Sequence, residues 1–206
     1  MITGGEGPGR ETLREIAGQA DMFAAADSGL AAAEDAGLSP NWVLGDMDSL
    51  EDPGRLEKYP PERVLRYPPD KDFTDTELAV TLLREKGCDE IWLAGGGGGR
   101  IDHFFAIRSL FERKTPPDRW FTANEEISCL REGRTLDAAL PAGSLVSVFP
   151  LGAGPWEAKS AGLKWPLDGL SWDRGGFGLS NVAAEGPFQI RSIQGRFMVI
   201  WALRYI

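Results

Sequence analysis

The chain of 206 residues contains little histidine and little cysteine: one histidine, His103, and two cysteines, Cys88 and Cys129. With so few nitrogen and sulfur ligands, a zinc site built from His and Cys is not expected. A Ser-His-Asp triad would have to use His103, the sole histidine. The cysteines are distant in sequence, and we predict two reduced core thiols rather than a disulfide.

Long apolar runs and an excess of basic residues are also missing. No stretch of about 18 apolar residues occurs, and no basic segment followed by an apolar one stands at the start. The balance of 22 basic to 31 acidic residues gives a net charge of −9, which disfavours binding to nucleic-acid phosphates or to an anionic membrane. We therefore expect a cytoplasmic protein that binds neither nucleic acid nor membrane. Its expected substrate is a cation, or an anion whose charge a metal ion neutralises.

The texture of the sequence changes at Pro116-Pro117. Before this pair, short apolar runs alternate with helical patterns, which is typical of parallel βαβ units. After it, short segments are broken by Gly, Pro and Asn at intervals of about 8–12 residues, which indicates an all-β sandwich. We predict an α/β domain with a mostly parallel sheet over residues 1–117 and a C-terminal all-β sandwich domain over residues 118–206.

The clearest helix signal follows Asp72. Thr74 and Glu77 have the spacing of a capping box, and Gly87 suits the residue after the helix end. Asp75 is then expected in the first turn, where a carboxylate interacts favourably with the helix dipole. A second helix is predicted to begin near Asp102 and to end before the proline pair.

Acidic groups recur where strand-like runs end and loops begin. In an open α/β sheet, ligands bind outside the carboxyl ends of the strands. Carboxylates crowded at such an edge repel one another unless a cation compensates them, and Mg²⁺ is the usual cation when phosphates are also bound. The sequence therefore predicts a magnesium-nucleotide site formed by four segments: A-D-S-G at 26–29, G-D-M-D-S at 45–49, D-K-D-F-T-D at 70–75 and G-G-R-I-D-H at 98–103.

Each of these signals also has a purely structural interpretation. Ordinary turns accept Asp at positions such as 46 and 48, and the glycine run 95–99 could be a flexible turn rather than a phosphate-binding loop. Lys71 could be a solvated lysine paired with neighbouring acids, and His103 a structural histidine. Trp165, in a loop beside Pro166, could be exposed to stack on an aromatic or cationic ligand, or could have no ligand at all.

The same four segments, followed by G-L-K-W-P-L at 162–167 and G-L-S-N at 178–181, strongly resemble the thiamin pyrophosphokinase (thiamine diphosphokinase) family along nearly the whole chain. The resemblance implies an N-terminal α/β nucleotide domain and a C-terminal β-sandwich. It also implies a homodimer with thiamine near the subunit interface. The implied reaction is Mg²⁺-dependent transfer of the pyrophosphoryl group of ATP to the hydroxyl of thiamine, with release of AMP.

Matching positions to the family motifs gives an expected role to each residue of the site, and Asp72 or Asp75 is the expected general base. Catalytic roles are expected for Asp46, Asp48, Asp70, Asp72 and Asp75, and metal binding for the first four of these. The expected ATP-binding residues are Asp27, Ser28, Lys71, Gly98, Arg100, Asp102 and His103. Expected thiamine contacts are Asp75, Trp165, Ser180 and Asn181.

The chain departs from the family pattern at four places. Ser28 replaces a glycine, Ile107 an asparagine and Val182 a glutamate, and only Met1–Thr3 remain for a first strand. These departures leave three other hypotheses open. One is pyrophosphoryl transfer to another hydroxymethyl heterocycle, such as a pterin. The second is a non-catalytic thiamine- or nucleotide-binding protein, and the third is a metal-dependent phosphoesterase.

Overall fold

A computed structural model describes residues 1–48 and 52–203, and Ser49, which ends the G-D-M-D-S motif, lies outside the described residues. The chain divides into two compact units. The first unit comprises Met1–Leu110 and Trp120–Asn124, and the second comprises Phe111–Arg119 with the chain from 125 to 203. The observed division thus falls a few residues before the proline pair, and a short segment after the pair returns to the first unit.

The first unit alternates helices with short strands, as the sequence predicts. Two 3₁₀ helices, Pro53–Lys58 and Pro61–Arg63, precede the third strand. The α-helices are α1 (Arg10–Gly18), α2 (Gly29–Asp35), α3 (Asp75–Glu85) and α4 (Ile101–Leu110). The strands are β1 (Ala24–Ala26), β2 (Trp42–Gly45), β3 (Val64–Arg66), β4 (Trp92–Ala94) and β5 (Arg119–Phe121).

The sheet of the first unit is built around parallel pairs. Strand β2 pairs in parallel with both β1 and β3. Ile2 forms parallel bridges to Ala25 of β1 and to Ala94 of β4, so a single residue takes the place of a strand between them. Parallel strands bring their carboxyl ends to one edge, and β1 and β2 therefore deliver the residues that follow them, Asp27 and Asp46, to the same side.

Helix α3 confirms the strongest local prediction. The Thr74 side chain accepts a hydrogen bond from Glu77 N, and the Glu77 side chain accepts one from Thr74 N, which together form a capping box. The N–H groups at the start of a helix have no partner within the helix. The box satisfies two of them, those of Thr74 and Glu77, and so fixes where the helix begins. Asp75 is consequently the first helical residue.

The second unit consists of antiparallel strand pairs. The strands of this unit are β6 (Glu125–Leu130), β7 (Thr135–Ala139), β8 (Leu145–Leu151), β9 (Glu157–Ala161), β10 (Gly178–Val182), β11 (Pro187–Gln194) and β12 (Arg196–Ala202). Strand β8 pairs with β10 and β12, and β12 pairs with β6. A separate three-stranded sheet has the order β7-β11-β9.

One hydrophobic cluster joins side chains from both sheets of the second unit. Phe188 and Ile190 of β11 are fully buried in it, together with Val148 of β8 and Val199 of β12. Alternate residues of β11 are buried, which is the pattern of a strand with one face on a core. Burial of each such side chain contributes roughly 1.5–3 kcal/mol, so this core accounts for much of the unit's stability.

Two elements carry little sequence signal. Strand β7 alternates exposed and half-buried residues, with no fully buried side chain, and α1 begins after Gly9, which provides no side-chain cap. None of the helices in the described part of the chain is both long and apolar enough to cross a membrane. Both cysteines are free thiols, Cys129 being buried and Cys88 half-buried.

Candidate active site

Asp27 is the residue at which the chain leaves β1. Its backbone N–H donates to Leu44 O at 3.0 Å, and its φ of 46° lies in the left-handed region. A Cβ on Gly45 would lie 1.9 Å from Asp27 Oδ1. Position 45 therefore requires glycine for two reasons. Its φ is 145°, which side chains disfavour, and the Asp27 carboxylate occupies the space that a side chain would need.

Asp46 follows β2 directly, in a loop that a buried methionine anchors. Asp46 Oδ1 accepts a hydrogen bond from the backbone N–H of Asp48 at 3.2 Å, whereas the Asp48 side chain is exposed. Met47 between them has a φ of 66° and packs in a hydrophobic cluster of Ala25, Leu30, Val43, Leu56 and Tyr59. This cluster fixes the loop, so that Asp46 is held at the strand end.

Asp75 reaches the same place from helix α3. The next residue, Thr76, shares a hydrogen bond between hydroxyls with Thr3, with 2.8 Å between the two Oγ1 atoms. This buried contact ties the first turn of α3 to the N-terminal segment, which itself pairs with β1 and β4. The helix start, and with it Asp75, is therefore set by the sheet.

Three carboxylates converge at this edge of the sheet: one oxygen each from Asp27, Asp46 and Asp75, all within 4.8 Å of one another. Lys71 Nζ lies 3.2 Å from both Asp46 Oδ2 and Asp75 Oδ2. The side chains of this lysine and its two partners are only 12–13% exposed. Within the described residues, Asp27 Oδ1 and Asp75 Oδ1 are buried and have no hydrogen-bond partner.

The crowding has clear electrostatic consequences. Burial raises the pKa of Asp27 to about 7, and contact with the Asp75 carboxyl and the charges of Asp75 and Asp46 act in the same direction. Hydrogen bonding from Asp48 N–H lowers the pKa of Asp46, with Lys71 contributing in the same sense. Burial opposes the charge of Lys71, but its hydrogen bonds to Asp75 and Asp46 outweigh burial and raise its pKa.

This donor set suits a hard divalent cation. Three carboxylate oxygens face a common point, and one ammonium group is present to offset three potential negative charges. Among the described residues, Asp27 Oδ1 and Asp75 Oδ1 are buried without a hydrogen-bond partner, and leaving buried acceptors unsatisfied is costly. Mg²⁺ takes one or two carboxylates together with water and substrate phosphates, so the residues fit this ion.

The set of converging carboxylates differs from the predicted metal ligands. Asp46 belongs to both sets, whereas Asp27 and Asp75 join it in place of the other three residues. Asp48, Asp70 and Asp72 are exposed and lie outside the cluster of three found among the described residues. Asp27 carried a signal for this position, because it follows a strand-like run as Asp46 does, but its expected role from the sequence was ATP binding.

The first part of the glycine run is engaged with the protein itself. The N–H groups of Gly95, Gly96 and Gly97 donate to the carbonyl oxygens of Phe121, Gly4 and Glu6, respectively, at 2.8–3.0 Å. A Cβ on Gly96 would lie 2.1 Å from Ile107 Cδ1, so the isoleucine that departs from the family pattern packs on this loop. Gly98 and Gly99 remain the candidates of the run for backbone contact with phosphate.

Arg100 is paired with a carboxylate beside the loop. Its Nη2 lies 2.5 Å from Asp102 Oδ2, and its Nε donates to Asp102 Oδ1 at 3.1 Å. The hydrogen bond from Arg100 lowers the pKa of Asp102, and the same contact raises that of Arg100. His103 N also donates to Asp102 Oδ1 at 3.0 Å. Both side chains of the ion pair are exposed, so Arg100 can exchange this partner for a phosphate group.

Ser28, the other departure in this unit, is accommodated by a glycine. A Cβ on Gly4 would lie 2.2 Å from Ser28 Oγ. The serine hydroxyl therefore occupies space that Gly4 leaves open because it has no side chain. Ser28 is the N-cap residue of α2.

Three of the four predicted thiamine-binding residues, all but Asp75, lie in the second unit. Trp165 is 53% exposed, and Lys164 Nζ is 4.5 Å from the centroid of its ring. Ser180 is exposed, with a φ of 57°. Asn181 is only 5% exposed, and its amide bonds to the backbone of Trp165.

The fold and the site together define a class. A parallel α/β unit gathers carboxylates at its strand ends, and the same chain adds a unit of antiparallel sheets, so this is a two-unit α/β-plus-β protein with a cluster of carboxylates at one sheet edge. The family model described as thiamin pyrophosphokinase, catalytic domain, matches residues 13–117, about half of the chain. The chain belongs to the thiamin pyrophosphokinase family.

Individual relatives agree with this assignment. The thiamine pyrophosphokinase of Bacillus subtilis (strain 168) is 34% identical over 118 residues, which cover 54% of this chain and 53% of the relative. The match thus spans about half the length of that curated relative.

Solved structures resemble the chain over almost its full length. A crystal structure of thiamine pyrophosphokinase from Bacillus subtilis has a TM-score of 0.79 at 25% identity, covering 99% of this chain and 98% of that chain. One of thiamin pyrophosphokinase from Geobacillus thermodenitrificans has a TM-score of 0.78 at 26% identity, covering 98% and 96%. The two-unit fold predicted from the sequence is therefore that of thiamin pyrophosphokinases of known structure.

Proposed function

We propose that the chain is a thiamine diphosphokinase, which transfers the pyrophosphoryl group of ATP to the hydroxyl of thiamine and releases AMP. The observation that carries the proposal is the convergence of Asp27, Asp46 and Asp75 around Lys71, within the part of the chain that contains the family's catalytic domain. In this proposal residues 1–117 form the ATP-binding catalytic domain, and residues 118–206 form a thiamine-binding and dimerising β-sandwich.

The carboxylates of Asp27, Asp46 and Asp75 would hold Mg²⁺, with Asp48, Asp70 and Asp72 as the further ligands that the sequence predicts. When bound, the ion neutralises phosphate charge and helps to align the ATP phosphates. Lys71 already lies among the carboxylates and can move its ammonium group toward a phosphate oxygen. The cluster would therefore combine a cation site with the positive charge of a lysine that two carboxylates hold in place.

The nucleotide would be bound by residues at the same edge of the sheet. Arg100 can grip a phosphate bidentately, as it now grips Asp102. Gly98 supplies backbone close to the start of α4, and the remaining predicted contacts are Asp27, Ser28, Lys71, Asp102 and His103.

The reaction itself forms one bond and breaks another. The thiamine hydroxyl oxygen bonds to the β-phosphorus of ATP, and the bond from that phosphorus to the oxygen leaving with AMP breaks in line with it. The hydroxyl proton passes to a carboxylate, for which Asp72 and Asp75 are the candidates. Such a transfer depends on positioning and on electrostatic stabilisation more than on covalent help.

The family resemblance predicts thiamine contacts at Asp75 in the first unit and at Trp165, Ser180 and Asn181 in the second, and nearby acidic groups would favour the positive ring of thiamine. A second copy of the chain is the proposed partner. Supporting this, the second unit exposes Leu145, Phe177 and Leu179, each more than half accessible. Free cysteines accord with a reducing cytoplasm, and the charge of −9 accords with small-molecule rather than nucleic-acid or membrane partners.

The deciding experiment measures AMP and thiamine diphosphate formed by the purified protein from ATP, Mg²⁺ and thiamine. Equal amounts of both products, each requiring thiamine and metal, are expected. AMP formed only with a hydroxymethyl pterin would instead identify another acceptor. Ligand binding without AMP would indicate a silent binding protein, and phosphate release without any acceptor would indicate a phosphoesterase.

A further inference from the structure

The side-chain amide of Asn181 forms two hydrogen bonds to the backbone of Trp165. Its Oδ1 accepts the backbone N–H of Trp165 at 3.1 Å, and its Nδ2 donates to Trp165 O at 2.6 Å. The same Oδ1 also accepts the N–H of Val182 at 2.8 Å. At 5% exposure, an amide with these three bonds has its hydrogen-bonding capacity largely satisfied inside the protein.

A distortion of strand β10 directs Asn181 toward this contact. The register between β10 and β8 shifts between Gly178 and Asn181, and Ser180 adopts a φ of 57°. A bulge of this kind re-aims the side chains that follow it. Leu179 and Ser180 are both exposed, whereas Asn181, the next residue, is buried. The positive φ of Ser180 and the inward direction of Asn181 are therefore two parts of the same bulge.

The loop that carries Trp165 is held on both sides. Before it, Lys164 N donates to Val182 O at 2.8 Å. After it, Leu167 N donates to Ser160 Oγ at 2.9 Å. Trp165 is nevertheless 53% exposed, so a fixed backbone presents an open indole.

The indole face already accepts a cation in this structure. Lys164 Nζ lies 4.5 Å from the ring centroid, within the range of a cation–π interaction. A cationic heterocycle can take the same face in place of the ammonium group. Because a rigid aromatic loses little conformational freedom on binding, a fixed Trp165 favours affinity.

We propose that Asn181 is a positioning residue, which clamps the backbone of Trp165 so that the indole face is presented to the cationic ring of thiamine, and that Asn181 does not itself contact the substrate. The inference rests on the proposed function and refines it, since the sequence assigned Asn181 to direct substrate contact. It concerns how the site recognises a cation, not the transfer chemistry.

A double-mutant cycle between Asn181→Ala and Trp165→Ala tests the proposal on the full chain. Each single change is expected to raise the KM for thiamine about fivefold to tenfold, the size expected from loss of a hydrogen bond or a stacking contact, with the KM for ATP unchanged. The double variant is expected to be no worse than Trp165→Ala, because Asn181 acts through Trp165. Multiplying effects in the double variant would overturn the proposal.

A readout independent of turnover is hydrogen exchange of the Trp165 amide. Asn181→Ala is expected to accelerate this exchange, because the N–H loses its acceptor. Asn181→Asp keeps an acceptor for the Trp165 N–H but places an oxygen against Trp165 O, where Nδ2 now donates. It should therefore also loosen the loop and accelerate the exchange, and it serves if Asn181→Ala does not fold. Asn41→Ala is the matched control: Asn41 Oδ1 accepts Phe23 N at 2.8 Å in the first unit, so its loss should leave both the exchange of Trp165 and the KM for thiamine unchanged.

The two readouts separate the possible failures. If the wild-type protein neither binds nor converts thiamine, the proposed function fails, while the exchange experiment still tests the clamp. Unchanged exchange in Asn181→Ala would show that Asn181 does not hold Trp165. Faster exchange with an unchanged KM for thiamine would show that the clamp serves the fold alone, and would overturn the positioning role.

Discussion

Backbone strain in this chain coincides with the predicted site. Three non-glycine residues have positive φ angles among those described: Asp27, Met47 and Ser180. Each such residue costs about 1–3 kcal/mol and persists only where its surroundings enforce it. Asp27 lies in the carboxylate cluster, Met47 joins Asp46 to Asp48, and Ser180 precedes the clamp on Trp165. At these positions the fold tolerates a strained backbone, and the strain directs side chains of the predicted site.

Replacement of Gly45 tests the tightest of these contacts. Gly45→Ala places a Cβ 1.9 Å from Asp27 Oδ1, so the carboxylate must move. We expect at least a tenfold fall in kcat/KM and a loss of stability of about 1–3 kcal/mol. Gly37→Ala is the matched control, because Gly37 also has a positive φ but open space around its Cα. It should lose stability with unchanged activity; equal behaviour of the two variants in urea unfolding and turnover would contradict the prediction.

Asp27 should also make the stability of the ligand-free protein depend on pH. Burial raises its pKa from 3.8 to about 7. Between these values the folded chain holds a proton that the unfolded chain has lost, so this residue makes stability fall as pH rises through that window. Asn mimics the protonated form, and Asp27→Asn should therefore lose less stability between pH 5 and pH 8 than the wild type.

Urea unfolding in the presence of a chelator measures this difference at each pH. Adding Mg²⁺ at pH 8 should then stabilise the wild type more than Asp27→Asn, because the cation compensates a carboxylate that the variant lacks. An identical pH profile for the two proteins would mean that Asp27 does not titrate as described.

At the scale of elements, helix α3 links a local signal to the site. Its capping box was predicted from Thr74 and Glu77 and is confirmed, and the first turn carries both Asp75 and Thr76. A helix that starts in the wrong place would misdirect the carboxylate and break the contact between Thr76 and Thr3. We therefore expect the cap to affect activity as well as stability.

Removal of the cap is expected to show both effects. Thr74→Ala should destabilise the protein by about 1 kcal/mol and lower kcat/KM several-fold, because Asp75 and Lys71 depend on the helix start. Thr81→Ala is the control on the same helix, since Thr81 Oγ1 donates only to Glu77 O on an exposed face. Thermal unfolding and steady-state kinetics of both variants check this; normal kinetics in Thr74→Ala would disconnect the cap from the site.

Elements that have only a weak pattern in the sequence form because neighbouring strands pair with them. Strand β7 exists because β11 offers it an edge, and its own residues show no fully buried position. Ile2 substitutes for a strand only because β1 and β4 both pair with it. Neither feature can be found by periodicity, since a single residue has none and a half-buried edge strand alternates weakly.

For the whole molecule, the sequence patterns on either side of the proline pair were enough to predict the α/β-plus-β layout, and the acidic strand ends were enough to predict that carboxylates gather at one edge of the sheet. They were not enough to select which carboxylates meet. That choice depends on Gly45 leaving room for Asp27 and on α3 being tied to Thr3, both of which are contacts between residues far apart in sequence. The clamp of Asn181 on Trp165 was equally invisible, because it follows from a register shift within β10.

The last prediction concerns assembly. Leu179 of β10 and Leu145 of β8 are 62% and 57% exposed, and Phe177 stacks on Phe149 beside them with 5.4 Å between ring centroids. Clustered apolar exposure of this kind marks an interaction surface, and a closed two-fold dimer is the commonest use of one. We expect the wild type to sediment as a dimer at micromolar concentration.

A charge placed on this surface should separate the subunits. Leu179→Lys is expected to shift the protein to monomer with an unchanged circular dichroism spectrum, because an exposed side chain is altered and the core is not. Phe105→Lys, at an equally exposed residue of the first unit (59%), should remain a dimer and controls for the added charge. Because three of the four proposed thiamine contacts lie in the same unit as Leu179, the Leu179→Lys monomer should also show a raised KM for thiamine; a dimer insensitive to Leu179→Lys would mean that the subunits meet on another face.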